Sequence, residues 1–414
     1  MSTNHYFRNH LLTIYQAALH AVNGRQAVAD YLRHHSLPTP LAVIAIGKAA
    51  PAMTLGAFDI LSTQITSALL ITKKGHLDKS WFFDYPMTCL EAAHPIPDAS
   101  SLAAGNALLN FINQLPPRYP LLCLISGGTS ALVEVLAPGI KLSDLQRINQ
   151  WLLATGLDIH AINAIRKKLS TIKGGRLAGY LSQHPIINLL ISDVPGDDLS
   201  NIGSGLLTWH ETIELPKNLP QWIAELLTQA APFAQASDFQ QIKQVIIANA
   251  AAARQAASRQ AKQLGYWVHQ QNEFIVGEAQ IAGQRLAHYL SIAQAGIHIW
   301  SSETTVQLPK NPGNGGRCQS LALAMAEQIK GQKNLWFLAA GTDGNDGPGK
   351  MAGALVDGMT IKRGQQRGFN AQDCLRQADA GRFLAASGDL IETGPTGTNV
   401  MDILIGLKME VSQT

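Results

Sequence analysis

A chain of 414 residues is longer than one hydrophobic core ordinarily supports, so two domains are expected and a single small module is excluded. Hydrophobic residues make up 46% of it and charged residues only 15%, which excludes a disordered or highly solvated chain. A net charge of +3 with 6% aromatics supplies neither the basic stripe nor the stacking rings of a nucleic-acid binder, and leaves a small anionic ligand open. Positions 1–10 are polar and histidine-bearing where a secretory signal needs an apolar core. The longest apolar stretch, 120–140, is cut by Ser126-Gly127-Gly128-Thr129-Ser130 and carries Glu134, so no membrane span is expected. Cys89, Cys123, Cys318 and Cys374 are widely spaced without a C-x-x-C pair and read as reduced thiols of a cytoplasmic protein.

The first segment reads as a helix with Leu11, Leu12, Tyr15, Leu19 and Val22 on one face, stopped by Asn23-Gly24. Short apolar runs then recur at 41–46, 68–72, 121–126, 186–192, 244–248, 297–301 and 335–339, each ending in small or polar residues and followed by helix-like text. Such alternation indicates the α/β class with a parallel sheet covered on both faces, and ligand chemistry at the carboxyl ends of the strands. A second helix is expected over 221–239, with a domain boundary near 240 that divides the chain into 1–240 and 241–414.

The strand at 41–46 runs into Gly47-Lys48, which places an ammonium at the sheet's carboxyl end; the plainer reading is a solvated lysine. The strand at 121–126 runs into Gly127-Gly128-Thr129-Ser130, whose amides and hydroxyls read as a phosphate cradle, with a tight structural turn as the competitor. G-x-S-x-G fails because Leu132 stands where the second glycine is required. Asn163, Arg166, Lys167, Ser170 and Lys173 share a helical face that reads as anion-facing, followed by Gly174-Gly175-Arg176. Past the strand at 186–192 come Asp193, Asp197 and Asp198, an arrangement suited to Mg²⁺, with Asp198 or Ser200 as a simple cap and Asp193 the better chemical candidate.

In the second half, Gly313, Gly315 and Gly316 deliver Arg317 to a helix start, where a guanidinium clamps a transferring phosphoryl group; a surface loop is the plainer reading. The acids from Asp343 lack the bidentate glutamate of an EF-hand, whose place holds Ala354. Together these features make a kit for phosphoryl transfer between small molecules, without a Walker loop, a protein-kinase set or a dinucleotide fingerprint.

The ordered series I-G-K-A, T-K-K-G-H, H-P-I-P-D, L-I-S-G-G-T-S-A-L, N-A-I-R-K-K-L-S-T-I-K-G-G-R-L-A, I-S-D-V-P-G-D, S-E-T-T-V, G-N-G-G-R-C-Q, A-G-T-D-G-N-D-G-P and T-G-P-T-G-T-N resembles the class II glycerate kinases, or glycerate 2-kinases, over roughly 14–405. The resemblance implies a Rossmann-like N-terminal domain, a C-terminal MOFRL domain, an active site in the cleft between them, and ATP- and Mg²⁺-dependent conversion of D-glycerate to 2-phosphoglycerate. It carries the family's active-site lysine onto Lys48 and the arginine of its second glycine loop onto Arg317. Thr129 replaces a usual third glycine, Lys168 a histidine and Asn314 a lysine, while Cys318 and Ser320 stand in place of Asn and Glu.

The expected enzyme binds ATP through Gly127, Gly128, Thr129, Ser130, Gly313, Gly315 and Gly316, and holds Mg²⁺ with Asp193 and Asp343. Lys48 and Arg317 neutralise charge, and Asp193 orients the attacking hydroxyl or accepts its proton. Its partner is a small hydroxy acid, its oligomeric state is left open, and the competing reading is an NAD(P)-dependent hydroxypyruvate reductase, against which the missing dinucleotide fingerprint counts.

Overall fold

The computed structural model describes residues 3–154, 159–209, 215–216, 219–229, 232 and 234–410. Two compact α/β units account for the chain: a central unit, Gly24–Ile247, and a terminal unit made of Met1–Asn23 with Ala248–Thr414.

The central unit is built on β1 (Leu41–Ile46), β2 (Ile65–Lys73), β3 (Met87–Ala92), β4 (Leu121–Ile125), β5 (Ile186–Ile191) and β6 (Ile242–Ala248), in the order β3-β2-β1-β4-β5-β6. Every pairing from β3 to β5 is parallel. Every residue of β1 and of β4 is buried, as the middle strands of a sheet covered on both faces must be. The helix Ala50–Leu61 turns Met53, Ala57, Phe58 and Leu61 inward. The helix Ala99–Asn113 starts from Asp98 in a capping box with Ser101 and buries Ala104, Leu108 and Ile112. Because β2 leaves β1 on one side and β4 joins it on the other, strand order reverses between β1 and β4. The carboxyl ends of those two strands therefore form the crevice in which open α/β sheets bind ligands.

A smaller core gathers Leu145, Ile148 and Leu152 with Ile165, Leu169, Ile223 and Leu227. The helix expected over 221–239 is only Gln221–Leu227, with a separate turn of 3-10 helix at Ala236–Phe239; residues 230, 231 and 233 lie outside the described residues.

The terminal unit carries β7 (Val268–Glu278), β8 (Gly296–Thr305), β9 (Leu335–Gly341), β10 (Gly353–Asp357), β11 (Leu390–Ile391) and β12 (Asp402–Lys408), in the order β11-β10-β9-β12-β8-β7. Only β7 and β8 pair in parallel. The runs at 297–301 and 335–339, read as strands of a parallel sheet, do point the same way, but β12 lies between them and is antiparallel to both.

The first helix, Thr3–Ala21, belongs with this sheet and not with the residues that follow it, so the expected division at 240 is replaced by a discontinuous unit. Its buried face is Leu11, Ile14, Tyr15 and Ala18, continued by Val22 just past its end, and is rotated from the expected one because Leu12 and Leu19 are only half-buried. Polar ties reinforce the packing. Tyr15 donates to the Gly341 carbonyl (2.7 Å), the Trp336 indole donates to Asn4 (2.6 Å), and Arg8 reaches Asp357 (3.0 Å) and Asp389 (2.8 Å).

Candidate active site

In the central unit the chain turns sharply after β1 at Gly47, whose φ of +135° suits glycine, and a Cβ there would stand 2.1 Å from Ser126 Oγ. The two strand ends are laced together through that close approach. Lys48 N donates to Gly127 O (2.9 Å), Ala49 N to Ser126 Oγ (3.1 Å), and Thr72 Oγ1 to Gly47 O (2.9 Å). Lys48 thus leaves the backbone at the switch point, directly beside the glycine turn of β4.

At Gly128, φ is +89°, and the position a Cβ would take lies 3.2 Å from Lys48 Cγ and 3.2 Å from His94 Cδ2, with His94 Nε2 at 3.4 Å. His94 follows β3, the edge strand, so its loop reaches past the ends of β2 and β1 to the glycine turn. His94 lies within H-P-I-P-D, where nothing local points to a role, and only the strand order reveals which turn it meets.

The four residues expected to cradle phosphate divide. Gly127 is buried, with its carbonyl taken by Lys48 N, Gly128 is half-buried beside Lys48 Cγ, and Ser130 Oγ meets Ser204 Oγ at 2.7 Å. The Thr129 hydroxyl is instead buried against Ile46 O (2.9 Å) and Ser126 O (2.7 Å), which makes its side chain part of the turn's framework and corrects its assignment as a ligand group.

The anion-facing helical surface is not formed as expected. The helix is Ile159–Leu169, so Ser170 and Lys173 lie beyond it. The Lys173 ammonium is 2% exposed and paired with Glu134, itself 1% exposed. Ser170 Oγ accepts from the amides of Ile172 (3.3 Å) and Lys173 (3.2 Å), and Arg166 Nε donates to Asn149 (3.0 Å). Burial pulls the Lys167 ammonium below its usual value, against the attraction of Asp198. Asp198 is a turn cap: burial pushes its carboxyl up, but hydrogen bonds from Ser200 and Asn201 and the Lys167 charge outweigh that and hold it low. Asp193 stands half-buried just past β5, at the sheet's carboxyl end as expected.

In the terminal unit Arg317 opens the helix Arg317–Gln328. Its Nε donates to Asp402 Oδ2 (2.7 Å), Nη2 to Asp402 Oδ1 (3.0 Å) and Glu303 Oε2 (3.1 Å), and Nη1 to Glu303 Oε1. Two carboxylates facing one guanidinium raise its pKa against the opposing effect of burial.

The helix's first amides are already taken. Asp346, wholly buried, accepts from Cys318 N (3.0 Å), Gln319 N (2.8 Å) and Gln319 Nε2 (3.0 Å). Gly313, Gly315 and Gly316 are required by the protein's own close packing: Cβ atoms there would meet Asp379 at 2.4 Å, Gly381 N at 2.9 Å and Asp346 at 2.2 Å. That packing accounts for glycine at these three positions, and an in-chain carboxylate takes the amides of Cys318 and Gln319 at the helix start. Glu303, Asp346 and Asp402 were visible only as members of S-E-T-T, G-T-D-G-N-D-G and the run after Thr398-Asn399; nothing in their spacing joins them to Arg317.

Asp343 is half-buried and accepts from Asn345 N (3.0 Å). Its Oδ1 and Asp402 Oδ1 each lie 3.4 Å from the one point where a Gly341 Cβ would stand. Ser302, directly opposite Asp402 across β8 and β12, has a buried Oγ with no hydrogen-bond partner among the described residues. Hard oxygens of this kind fit Mg²⁺. The described residues contain no group of three or more His, Cys, Asp or Glu able to hold a metal ion.

Family models match the chain twice, a domain of unknown function (DUF4147) over residues 10–215 and the MOFRL family over residues 296–402. The D-glycerate 2-kinase of Thermotoga maritima is 32% identical over 409 residues, covering 96% of this chain and 97% of that protein. The glycerate 2-kinase of Pyrococcus horikoshii is 32% identical over 417 residues, covering 95% of this chain and 93% of that protein. The chain belongs to the glycerate 2-kinase family. A crystal structure of glycerate kinase from Thermotoga maritima matches this glycerate 2-kinase family member with a TM-score of 0.84 at 30% identity, covering 98% of this chain and 100% of that one. The family likeness and the MOFRL match to the C-terminal part agree with the resemblance read from the motifs.

Proposed function

We propose that the protein transfers the γ-phosphoryl group of ATP to the 2-hydroxyl of D-glycerate, giving 2-phosphoglycerate and ADP. The observation that carries this reading is the delivery of Lys48 onto the Gly127-Gly128 turn at the switch point of the parallel sheet, in a chain of this family.

Lys48 neutralises anionic oxygens as a point charge beside backbone that glycine leaves uncovered. Asp193, at the end of β5, orients the attacking hydroxyl and takes its proton as the new oxygen–phosphorus bond forms and the bond to ADP breaks. Arg317 offsets charge on the moving phosphoryl group. Mg²⁺, when bound, would neutralise phosphate charge, and Asp343, which with Asp402 faces one point in the terminal unit, would hold it. No helix among the described residues is long and apolar enough to cross a membrane, and the four cysteines are free thiols, which supports a cytoplasmic location.

The test is ADP release with D-glycerate and MgATP, set beside NADH oxidation with hydroxypyruvate. Phosphorus NMR of the product then identifies the isomer. ADP release with a 2-phosphate product is expected; NADH oxidation without ADP release overturns the reading in favour of the reductase.

A further inference from the structure

Lys48 is not the only nitrogen donor at the glycine turn. His94 Nε2 and Lys48 Cγ lie 3.4 and 3.2 Å from the same point above Gly128, so the imidazole and the lysine stem flank one small, side-chain-free patch of backbone. Any residue but glycine at 128 would fill that patch, and φ of +89° there strains every other L residue as well.

The loop that carries His94 is held at both ends. Ala92 is fully buried at the close of β3, Ala93 N donates to Ser100 Oγ (3.0 Å), and Asp98 N donates to Ser101 Oγ (3.2 Å) within the capping box of the next helix. A ring brought past the ends of two strands by a segment stapled this way is placed by the fold, not by a chance rotamer. Such pre-placement is what a group that must meet a ligand without reorganising requires.

We propose that His94 is a binding residue of the central unit's crevice: with Lys48 it contacts a substrate oxyanion, and that oxyanion is the carboxylate of the hydroxy acid. The Lys48 stem, the His94 imidazole and the glycine backbone meet from the ends of β1, β3 and β4, and a lysine, a histidine and backbone amides are groups that bind a small carboxylate. The same donors serve a phosphoryl oxygen of the nucleotide, and steady-state kinetics separates the two sources. The proposal rests on the kinase reading for its substrate, not for its geometry.

The experiment compares His94→Leu and His94→Gln with the wild type, after circular dichroism has shown that each variant folds. His94→Leu is expected to raise KM for D-glycerate about tenfold or more while KM for ATP stays within about twofold, the scale of a lost hydrogen bond to a charged group. His94→Gln keeps an N–H at similar reach and is expected to restore most of the loss, which a merely structural role would not do. A rise confined to ATP overturns the carboxylate assignment and places the contact on a phosphoryl oxygen. Unchanged KM values for both substrates in His94→Leu overturn the proposal. Should the wild type release no ADP with D-glycerate, the kinase reading fails by itself. Calorimetric titration with D-glycerate and with inorganic phosphate then tests the subsite, which is overturned if His94→Leu binds both as the wild type does or if the wild type binds neither.

Discussion

Arg317 and Asp402 meet edge to edge, with Nε–Oδ2 at 2.7 Å and Nη2–Oδ1 at 3.0 Å, and Glu303 takes the adjacent Nη1–Nη2 edge of the same guanidinium. Four of its five N–H donors are thereby committed, so an incoming phosphoryl group gains full access only if one acid yields. Glu303, at 39% side-chain exposure against 2% for Asp402, is the one placed to yield.

This arrangement orders the effects of three substitutions. Arg317→Ala is expected to lower kcat about 10³-fold in a folded protein. Arg317→Lys recovers little, because an ammonium cannot bridge two carboxylates side on. Asp402→Asn lowers kcat more than Glu303→Gln does, since Asp402 sets the orientation. Steady-state kinetics decides, and near-normal turnover in Arg317→Ala removes Arg317 from the mechanism.

Lys173 and Glu134 form a buried ion pair in the central unit. Lys173→Met alone strands the Glu134 carboxylate and is expected to cost about 3–5 kcal/mol. The double variant Lys173→Met/Glu134→Leu lies within about 2 kcal/mol of the wild type, because the stranded charge is gone. Urea unfolding of the four proteins closes the cycle; additive losses refute the pairing.

Asp346 carries the pH dependence. Burial and the neighbouring Asp402 push its carboxyl up to about 7, against the pull of amide donors at Cys318 and Gln319. A carboxyl raised on folding binds its proton more tightly in the native state, so its contribution to stability is full below about pH 4 and is lost as pH rises towards 7. The stability of the wild type relative to Asp346→Asn is therefore expected to fall between about pH 4 and 7 and then level off. Melting temperatures of both proteins across pH 4.5–8 measure it, and a constant difference contradicts it.

Two glycines with positive φ separate strain from crowding. Gly265, at φ +87°, has nothing within 4 Å of a built Cβ, whereas at Gly47 Ser126 Oγ stands 2.1 Å away. Gly265→Ala is expected to cost about 1 kcal/mol and Gly47→Ala about 3 kcal/mol or more, with loss of activity as the Lys48 turn shifts. Equal costs in urea unfolding would exclude a crowded turn.

The sequence by itself determined the α/β class and the buried strands of the central unit with the turns at their ends, but not β10 and β12, inner strands of the second sheet. Continuous apolar runs such as 41–46 and 121–125 are legible because a strand buried on both faces has one chemical requirement along its length. Lys48 and the glycine turn were legible for the same reason, being fixed to strand ends by adjacency in the chain. β3 and β7 escaped notice because half-exposed edge strands mix polar and apolar residues without a clean period.

Only the tertiary structure decided which charges meet. Lys173 looked like an anion-facing base until Glu134 was found against it, and nothing local to Gly316 showed that Asp346 takes the amides of the helix that follows. The N-terminal helix joined a sheet that begins more than two hundred residues later, and His94 crossed to the glycine turn of another strand. Each of these depends on strand order and on contacts between distant segments. Whether a charged or backbone group is free to meet a ligand is a property of its neighbours in space, and local spacing carries no record of them.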